Sequence, residues 1–251
     1  MNTLNSHSPI TPDAPELPYR QLVHSKLNRQ RVRVQESDLC IYADVDLGSA
    51  AKDILITQRS FLEKFIQNHA RFASTLQPWP VEPLAPAIVQ AMIDAGQQAQ
   101  VGPMAAVAGA VAEQVGVHLL RKAGEIIVEN GGDIFLHTRR PATIAVYAGK
   151  SPLSLRLGLR VDSTQKPLGV CTSSGTVGHS LSLGKADAVC VLSPSCSLAD
   201  AAATAIGNRL QRPADIASAI KWGKRISGVQ GILVIMGDKM GAWGKMDLAP
   251  L

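Results

Sequence analysis

Two stretches of small residues at helical spacing limit what this chain can fold into. The first, GPMAAVAGAVAEQVGVHLL, has Pro103 suited to a first helical turn and glycines at 102, 109 and 116, seven apart. A glycine inside a helix costs roughly 1 kcal/mol relative to alanine, so a repeated set on one side usually admits a close neighbour. That neighbour is either tight helix-on-sheet packing or a ligand, with free N–H groups near the helix start able to meet an anion. The second stretch, SLADAAATAIGN, runs from Ser197 to Asn208 and carries Asp200 and Thr204 in otherwise small, apolar text. Residues four apart share a helix face about one turn apart, and two oxygens so placed suit a hard cation such as Mg²⁺. The alternative is that Asp200 favours its own helix dipole while Thr204 back-bonds to a carbonyl.

Around these segments the pattern is mixed. Arg31 to Val34 and Leu39 to Asp44 alternate across the turn Glu36-Ser37-Asp38, as a hairpin would. Apolar residues at three- and four-residue steps from Ser49 to about Leu76 predict a long helix stopped by Pro78 and Pro80, and a shorter one is expected over 86–97. EIIVE and IFLHT flank Asn130-Gly131-Gly132-Asp133, a hairpin turn whose glycines allow positive φ. LSLRLGLRV, 153–161, alternates throughout and reads as one strand of a sheet with one buried face. AVCVLS and ILVIM read as strands buried on both faces, with a helix over 213–226 before the second. Strands and helices without a regular βαβ rhythm predict an α+β fold, antiparallel sheet packed against helices including 49–76 and 103–123. The expected organisation is a flexible tail over 1–18 and one domain over 19–251.

The chain has 251 residues and a formal charge of +5 from scattered lysines and arginines, with few aromatics. Phosphate tracking along nucleic acid needs a cationic stripe and stacking rings, so an anionic small molecule is the better match. The four cysteines have no CxxC pairing or zinc-like spacing, and free, mostly buried thiols are expected. No secretory signal or membrane span is read, so the expected location is the cytoplasm.

Between the strands lies GVCTSSGTVGHSLSLGKADAV, 169–189, read as a hydroxyl- and glycine-rich loop. Its successive N–H groups and the hydroxyls of Thr172, Ser173, Ser174 and Thr176, with Gly175, suit a phosphate or pyrophosphate; a solvated loop is the alternative. His179 lies in this segment and could donate a hydrogen bond or transfer a proton, or be a structural imidazole bonded to backbone. Asp133 is either a ligand or a turn carboxylate bonded to its own backbone, and Asp187 is equally open. No nucleophile elbow, Walker-type loop or dinucleotide fingerprint is present.

Taken in order, VENGGDIFL, ATIAVYAG, VCTSSGTVGHS, ADAVCVL and SLADAAATAIGN resemble an uncharacterised family that groups with the ApbE superfamily. The superfamily takes its name from magnesium-dependent FAD:protein FMN transferases, which move FMN from FAD onto a protein threonine and release AMP. The resemblance implies a T-fold-like domain. It also implies that Gly131, Gly132, Asp133 and Thr172 to Gly175 bind cofactor, that Asp200 and Thr204 hold Mg²⁺, and that His179 and Asp200 act in catalysis. A backbone oxygen on a helix start completes the transferase metal site, with Ala105 or Ala106 as its counterpart here. Where the transferases carry isoleucine-aspartate-proline after the histidine, this chain has Ser180-Leu181-Ser182. Members of the similar family occur in methanogens and in bacteria using tetrahydromethanopterin-linked one-carbon chemistry.

Two functions follow as expectations. The first is a Mg²⁺-dependent enzyme acting on a phosphoanhydride of a nucleotide-containing cofactor such as FAD, with a possible acceptor protein. The second is a non-catalytic flavin- or pterin-binding accessory protein in cofactor biosynthesis or one-carbon metabolism.

Overall fold

The computed structural model describes residues 19–20, 25–177 and 182–251. The expected tail, 1–18, and His179 lie outside the described residues. Eight antiparallel strands form the main sheet: β1 (Asn28–Val34), β2 (Ser37–Ala43), β3 (Ile126–Asn130), β4 (Asp133–His137), then β7 (Leu168–Ser173), β8 (Ala188–Ser193), β9 (Gly231–Met236) and β10 (Lys239–Gly244), in that spatial order. A second antiparallel sheet has β6 (Leu157–Val161) between β5 (Ala142–Ala145) and β11 (Asp247–Pro250). Among the described residues five α-helices complete the architecture: α1 (Gly48–Asn68), α2 (Ala87–Ala99), α3 (Val107–Leu119), α4 (Cys196–Gly207) and α5 (Ile216–Gly223).

The main sheet is sandwiched. Cys171, Val189, Val191, Ile232 and Val234 share a core with the helices. Val170, Cys190, Leu192, Leu233 and Ile235, their alternating neighbours, share another with Leu159 and Val161 of the small sheet. That is why AVCVLS and ILVIM are buried at every position although their pairing is antiparallel. The expected α+β class with antiparallel sheet against helices is the fold observed.

The glycines spaced by seven all meet close neighbours, and each is protein. A Cβ on Gly102 would lie 1.9 Å from the Thr75 carbonyl oxygen, one on Gly109 2.5 Å from the Cys196 carbonyl oxygen, and one on Gly116 2.1 Å from the Phe135 ring. Small residues therefore let α3 approach α4 on one side and β4 on another. The hairpin turn is as expected: Gly131 and Gly132 have φ of +66° and +106°, the left-handed pair that a two-residue hairpin of this hand requires.

Several sequence expectations need correction. The helix predicted over 49–76 ends at Asn68, where His69 stacks on Phe65 with ring centroids 4.2 Å apart. The chain restarts as a 3-10 turn, Ala70–Ala73, which buries Phe72 edge-on to Phe65 and Trp79. The apolar spacing continued across a break that periodicity does not see. The helix predicted over 103–123 is a 3-10 turn, Pro103–Ala106, followed by α3, which ends at Leu119. That over 213–226 is likewise a 3-10 turn and the shorter α5. LSLRLGLRV is a strand only from Leu157. Ser151 Oγ and Ser154 Oγ accept the N–H groups of Leu153 and Ala148, and Leu155 has φ +57°, so hydroxyls divert that backbone from a ladder.

Candidate functional site

Asp133, Asp200 and Thr204 come from two elements that meet at the helix-covered side of the main sheet, and Thr172 of a third reaches them through its backbone N–H. The Gly131-Gly132 turn delivers Asp133 as the first residue of β4, where it is buried, 7% exposed. There it accepts the Thr172 N–H across the β4–β7 gap at 3.3 Å. Of the two readings of Asp133, the bond to its own turn backbone is not the one formed. Segment 169–189, expected as a loop, begins as strand: Thr172 and Ser173 end β7, and Asp187 directly precedes β8. This is a correction with a simple cause. Val170 and Cys171 fill the two cores, so the hydroxyls ride on a strand whose faces are already committed.

Asp200 belongs to the fifth position of α4, and its partner is on a different helix. Its Oδ2 accepts the Gly109 N–H, near the start of α3, at 2.9 Å. The anion that a free helix start would bind is thus supplied within the chain. Glu113, one turn further along α3, does the converse: it accepts Ser197 N–H at 2.9 Å, Ser197 Oγ–H at 2.7 Å and Ser195 Oγ–H at 3.3 Å. The two antiparallel helices therefore exchange carboxylates, each holding N–H groups at the other's start. Thr204 lies one turn beyond Asp200 and is partly buried. Asn130, ending β3, donates its amide to the Ala108 carbonyl at 3.0 Å and ties the α3 start to the same corner.

The electrostatics are those of a crowded acidic site. Burial pushes the Asp133 carboxyl up to about 7, against hydrogen bonds from Cys171 and the Thr172 N–H. Burial first, and the Asp133 charge second, push Asp200 well above the carboxylate range, opposed by the Gly109 and Ala108 N–H groups. Among the described residues no lysine or arginine acts on either carboxyl. The charge that raises Asp133 is that of Glu129, and Asp133 in turn raises Asp200; two desolvated acids are a donor set to which a cation is the natural complement. Cys171 lies beside them, its Sγ 3.4 Å from Cys196 Sγ, and burial pushes its thiol well above the usual range. All four cysteines are free and buried, as expected.

The remaining predicted residues divide. Thr172 Oγ–H donates to Cys190 Sγ at 3.2 Å, on the sheet face away from the helices. Ser174 Oγ accepts the N–H groups of Thr176 and Val177 at 3.1 and 3.0 Å, closing a turn. A Cβ on Gly175 would lie 2.1 Å from the Gly184 carbonyl oxygen, so that glycine serves a close backbone approach. Ser173 points along the helix side, beside Gly207. Asp187 accepts the Thr176 hydroxyl and the Gly237 N–H at 3.0 and 2.7 Å, a structural role. Ala105 and Ala106 fall in the 3-10 turn before α3. Sequence reasoning missed Glu113, Asn130 and Cys171. For Glu113 a signal existed, since it follows Gly109 by one turn on the face that the glycines open.

Comparison with known proteins places this arrangement. A UPF0280 protein from Methanococcus aeolicus is 38% identical over 231 residues, covering 90% of this chain and 91% of its own. Another from Methanocella arvoryzae is 41% identical over 218 residues, covering 86% and 88%. Among solved structures, apo flavinyl transferase ApbE of Pseudomonas stutzeri superposes with a TM-score of 0.56 at 14% identity, over 89% of this chain and 95% of that one. Flavin transferase ApbE of Vibrio cholerae gives 0.53 at 13%, over 88% and 97%. These likenesses show an ApbE, T-fold-like fold. The sequence profile of the family described as AbpE bacteria matches residues 20–243, and this chain belongs to that family.

Proposed function

We propose that the protein is a Mg²⁺-dependent enzyme acting on a phosphoanhydride of a nucleotide-containing cofactor, with FAD as the leading substrate. The observation that carries the reading is the pair of buried acids Asp133 and Asp200, both raised by burial, with the Asp133 charge raising Asp200 further and no lysine or arginine among the described residues acting on either. Asp200 and Thr204 would hold the ion. Among the described residues no three His, Cys, Asp or Glu side chains converge as a metal cluster. Carboxylate, hydroxyl and backbone oxygens would therefore share the ion with phosphates and water, the usual habit of Mg²⁺. When bound, the metal would neutralise phosphate charge as the P–O bond breaks.

The chain's own residues supply the rest. Asp133 would border the ion, and it fixes the end of β7 through the Thr172 N–H. The Ser173 hydroxyl and the Ser174 N–H would orient the phosphates, while the Gly175 N–H is donated to the Ala186 carbonyl at 2.8 Å. His179, outside the described residues, would orient or protonate the leaving AMP. An acceptor hydroxyl, from a partner protein or water, would attack the flavin-side phosphorus, and the anhydride oxygen would leave with AMP. The likeness of the fold to named flavin transferases supports this reading at the level of the fold alone. The test is direct: incubate the purified protein with FAD and Mg²⁺ and quantify AMP and FMN. AMP release that requires Mg²⁺ and is lost in Asp200→Ala is expected; equal release in the variant contradicts it.

A second reading rests on the hydroxyls already engaged. Thr172 and Ser174, expected to cradle phosphate, are committed to Cys190 and to a local turn. A non-catalytic accessory protein that binds a flavin or pterin would need neither. Tight binding of FMN or a tetrahydropterin without turnover, unaffected by Mg²⁺ removal, would favour it.

A further inference from the structure

Glu129 is the acidic residue four positions before Asp133, and it lies on the other side of the sheet, 6% exposed. Its Oε1 accepts the Gly132 N–H at 2.8 Å, inside the turn that delivers Asp133. The same oxygen accepts the Tyr19 hydroxyl at 2.9 Å. Its Oε2 accepts Arg20 Nε–H at 2.5 Å. Arg20 is 2% exposed, and it also donates to the Asp38 carbonyl at 2.7 Å and pairs with the Asp38 carboxylate at 3.0 Å. An arginine buried this far, more than a hundred residues away in sequence, is there to neutralise a desolvated carboxylate.

The consequence is geometric. Gly131 and Gly132 occupy left-handed backbone and have no side chains to pack; a Cβ on Gly131 would touch nothing within 4 Å. Such a turn is soft unless something outside it holds it. Glu129 is the side chain that holds its N–H. We propose that Glu129, locked by Tyr19 and Arg20, is a positioning residue that fixes the Gly131-Gly132 turn and so the Asp133 carboxyl at the candidate site. The segment carrying Tyr19 and Arg20 is therefore part of the site's support, although it touches none of the reacting groups. This deepens the reading given under the proposed function and rests on Asp133 belonging to that site.

Two substitutions test it in the full chain: Glu129→Gln, which keeps shape and removes charge, and Tyr19→Phe, which removes one hydrogen bond and leaves the Arg20 pair. The first readout is amide exchange by NMR at Gly132 and Thr172, with Val191 and Val234 in the central strands as references. Exchange about tenfold faster at the two site amides, with the references unchanged, is expected. Wild-type rates at Gly132 and Thr172 in Tyr19→Phe overturn the proposal, and this variant decides if Glu129→Gln does not fold. The second readout is affinity for Mn²⁺ alone, by electron paramagnetic resonance, which a merely structural role would leave unmoved. A loss of about tenfold in either folded variant is expected, as for second-layer partners of metal ligands. Unchanged Mn²⁺ affinity in both contradicts the positioning role. Wild-type protein that binds no Mn²⁺ sinks the metal reading of the site, and the amide rates then decide the clamp by themselves.

Discussion

Asp200 Oδ2 sits 2.9 Å from the Gly109 backbone nitrogen, a bond between two helices 91 residues apart in sequence. It is possible only because residue 109 has no side chain: a Cβ there would lie 2.8 Å from Asp200 Cβ and 2.5 Å from the Cys196 carbonyl oxygen. One glycine thus sets both the closeness of α3 to α4 and the placement of the carboxylate most central to the candidate site.

Gly109→Ala should consequently destabilise the protein by more than the helix propensity of alanine returns. Overpacking of this kind costs about 1–3 kcal/mol. Urea denaturation would register this as a lower midpoint with an unchanged slope. A stabilised variant would mean that the two helices are not in backbone contact.

The Glu113 carboxylate holds the opposite end of the same helix pair through Ser195 and Ser197. Glu113→Ala leaves those donors without their partner, at a cost of about 1–3 kcal/mol. Circular-dichroism melts should show the loss, and Glu113→Gln, which keeps one acceptor, should lose less. Equal melting temperatures for all three proteins would remove the exchange of carboxylates from the account.

Stability of the metal-free protein should fall as pH rises from 5 to 8. The Asp133 carboxyl goes from an ordinary 3.8 in the unfolded chain to about 7 in the folded one, and Asp200 is raised in the same direction. Their contribution is fully present below the unfolded value and is lost as pH climbs through the folded one. Asp133→Asn should flatten the melting temperature against pH over this range, and Mg²⁺ should restore stability at pH 8. A wild-type profile that rises across the same interval contradicts the raised carboxyls.

Asp200→Asn separates structure from function. The amide can still accept the Gly109 N–H, and it removes a charge that burial and Asp133 both disfavour. The metal-free variant should melt at or above the wild-type temperature at pH 8 while losing the stabilisation that Mg²⁺ gives the wild type. Calorimetry at two Mg²⁺ concentrations checks both halves; a variant still stabilised by Mg²⁺ to the wild-type extent would place the ion elsewhere.

Local chemistry was legible and distant pairing was not. The Gly131-Gly132 turn, the hairpins around it and the doubly buried β8 and β9 follow from residues within a few positions of one another. Asp200 and Thr204 stood out because a carboxylate is rare in such text, and their helix formed as read. What Asp200 meets depends on how α3 and α4 pack, and Glu129 on Arg20, 109 residues before it. Ser151 and Ser154 ended a strand that alternation alone extended to Leu153, because hydroxyls compete for backbone N–H groups in ways that hydrophobic period does not record. Thr172 and Ser173 looked like loop for the same reason in reverse: their hydroxyls masked a strand defined by Val170 and Cys171.

The central claim is that the Asp133–Asp200 corner takes a divalent ion that brings in the phosphates of a nucleotide cofactor. Isothermal titration of FAD into wild type and Asp200→Asn, each with and without Mg²⁺, tests it most directly. The account predicts FAD binding by the wild type that depends on Mg²⁺ and disappears in Asp200→Asn. FAD binding of equal strength without Mg²⁺, or in the variant, would contradict it.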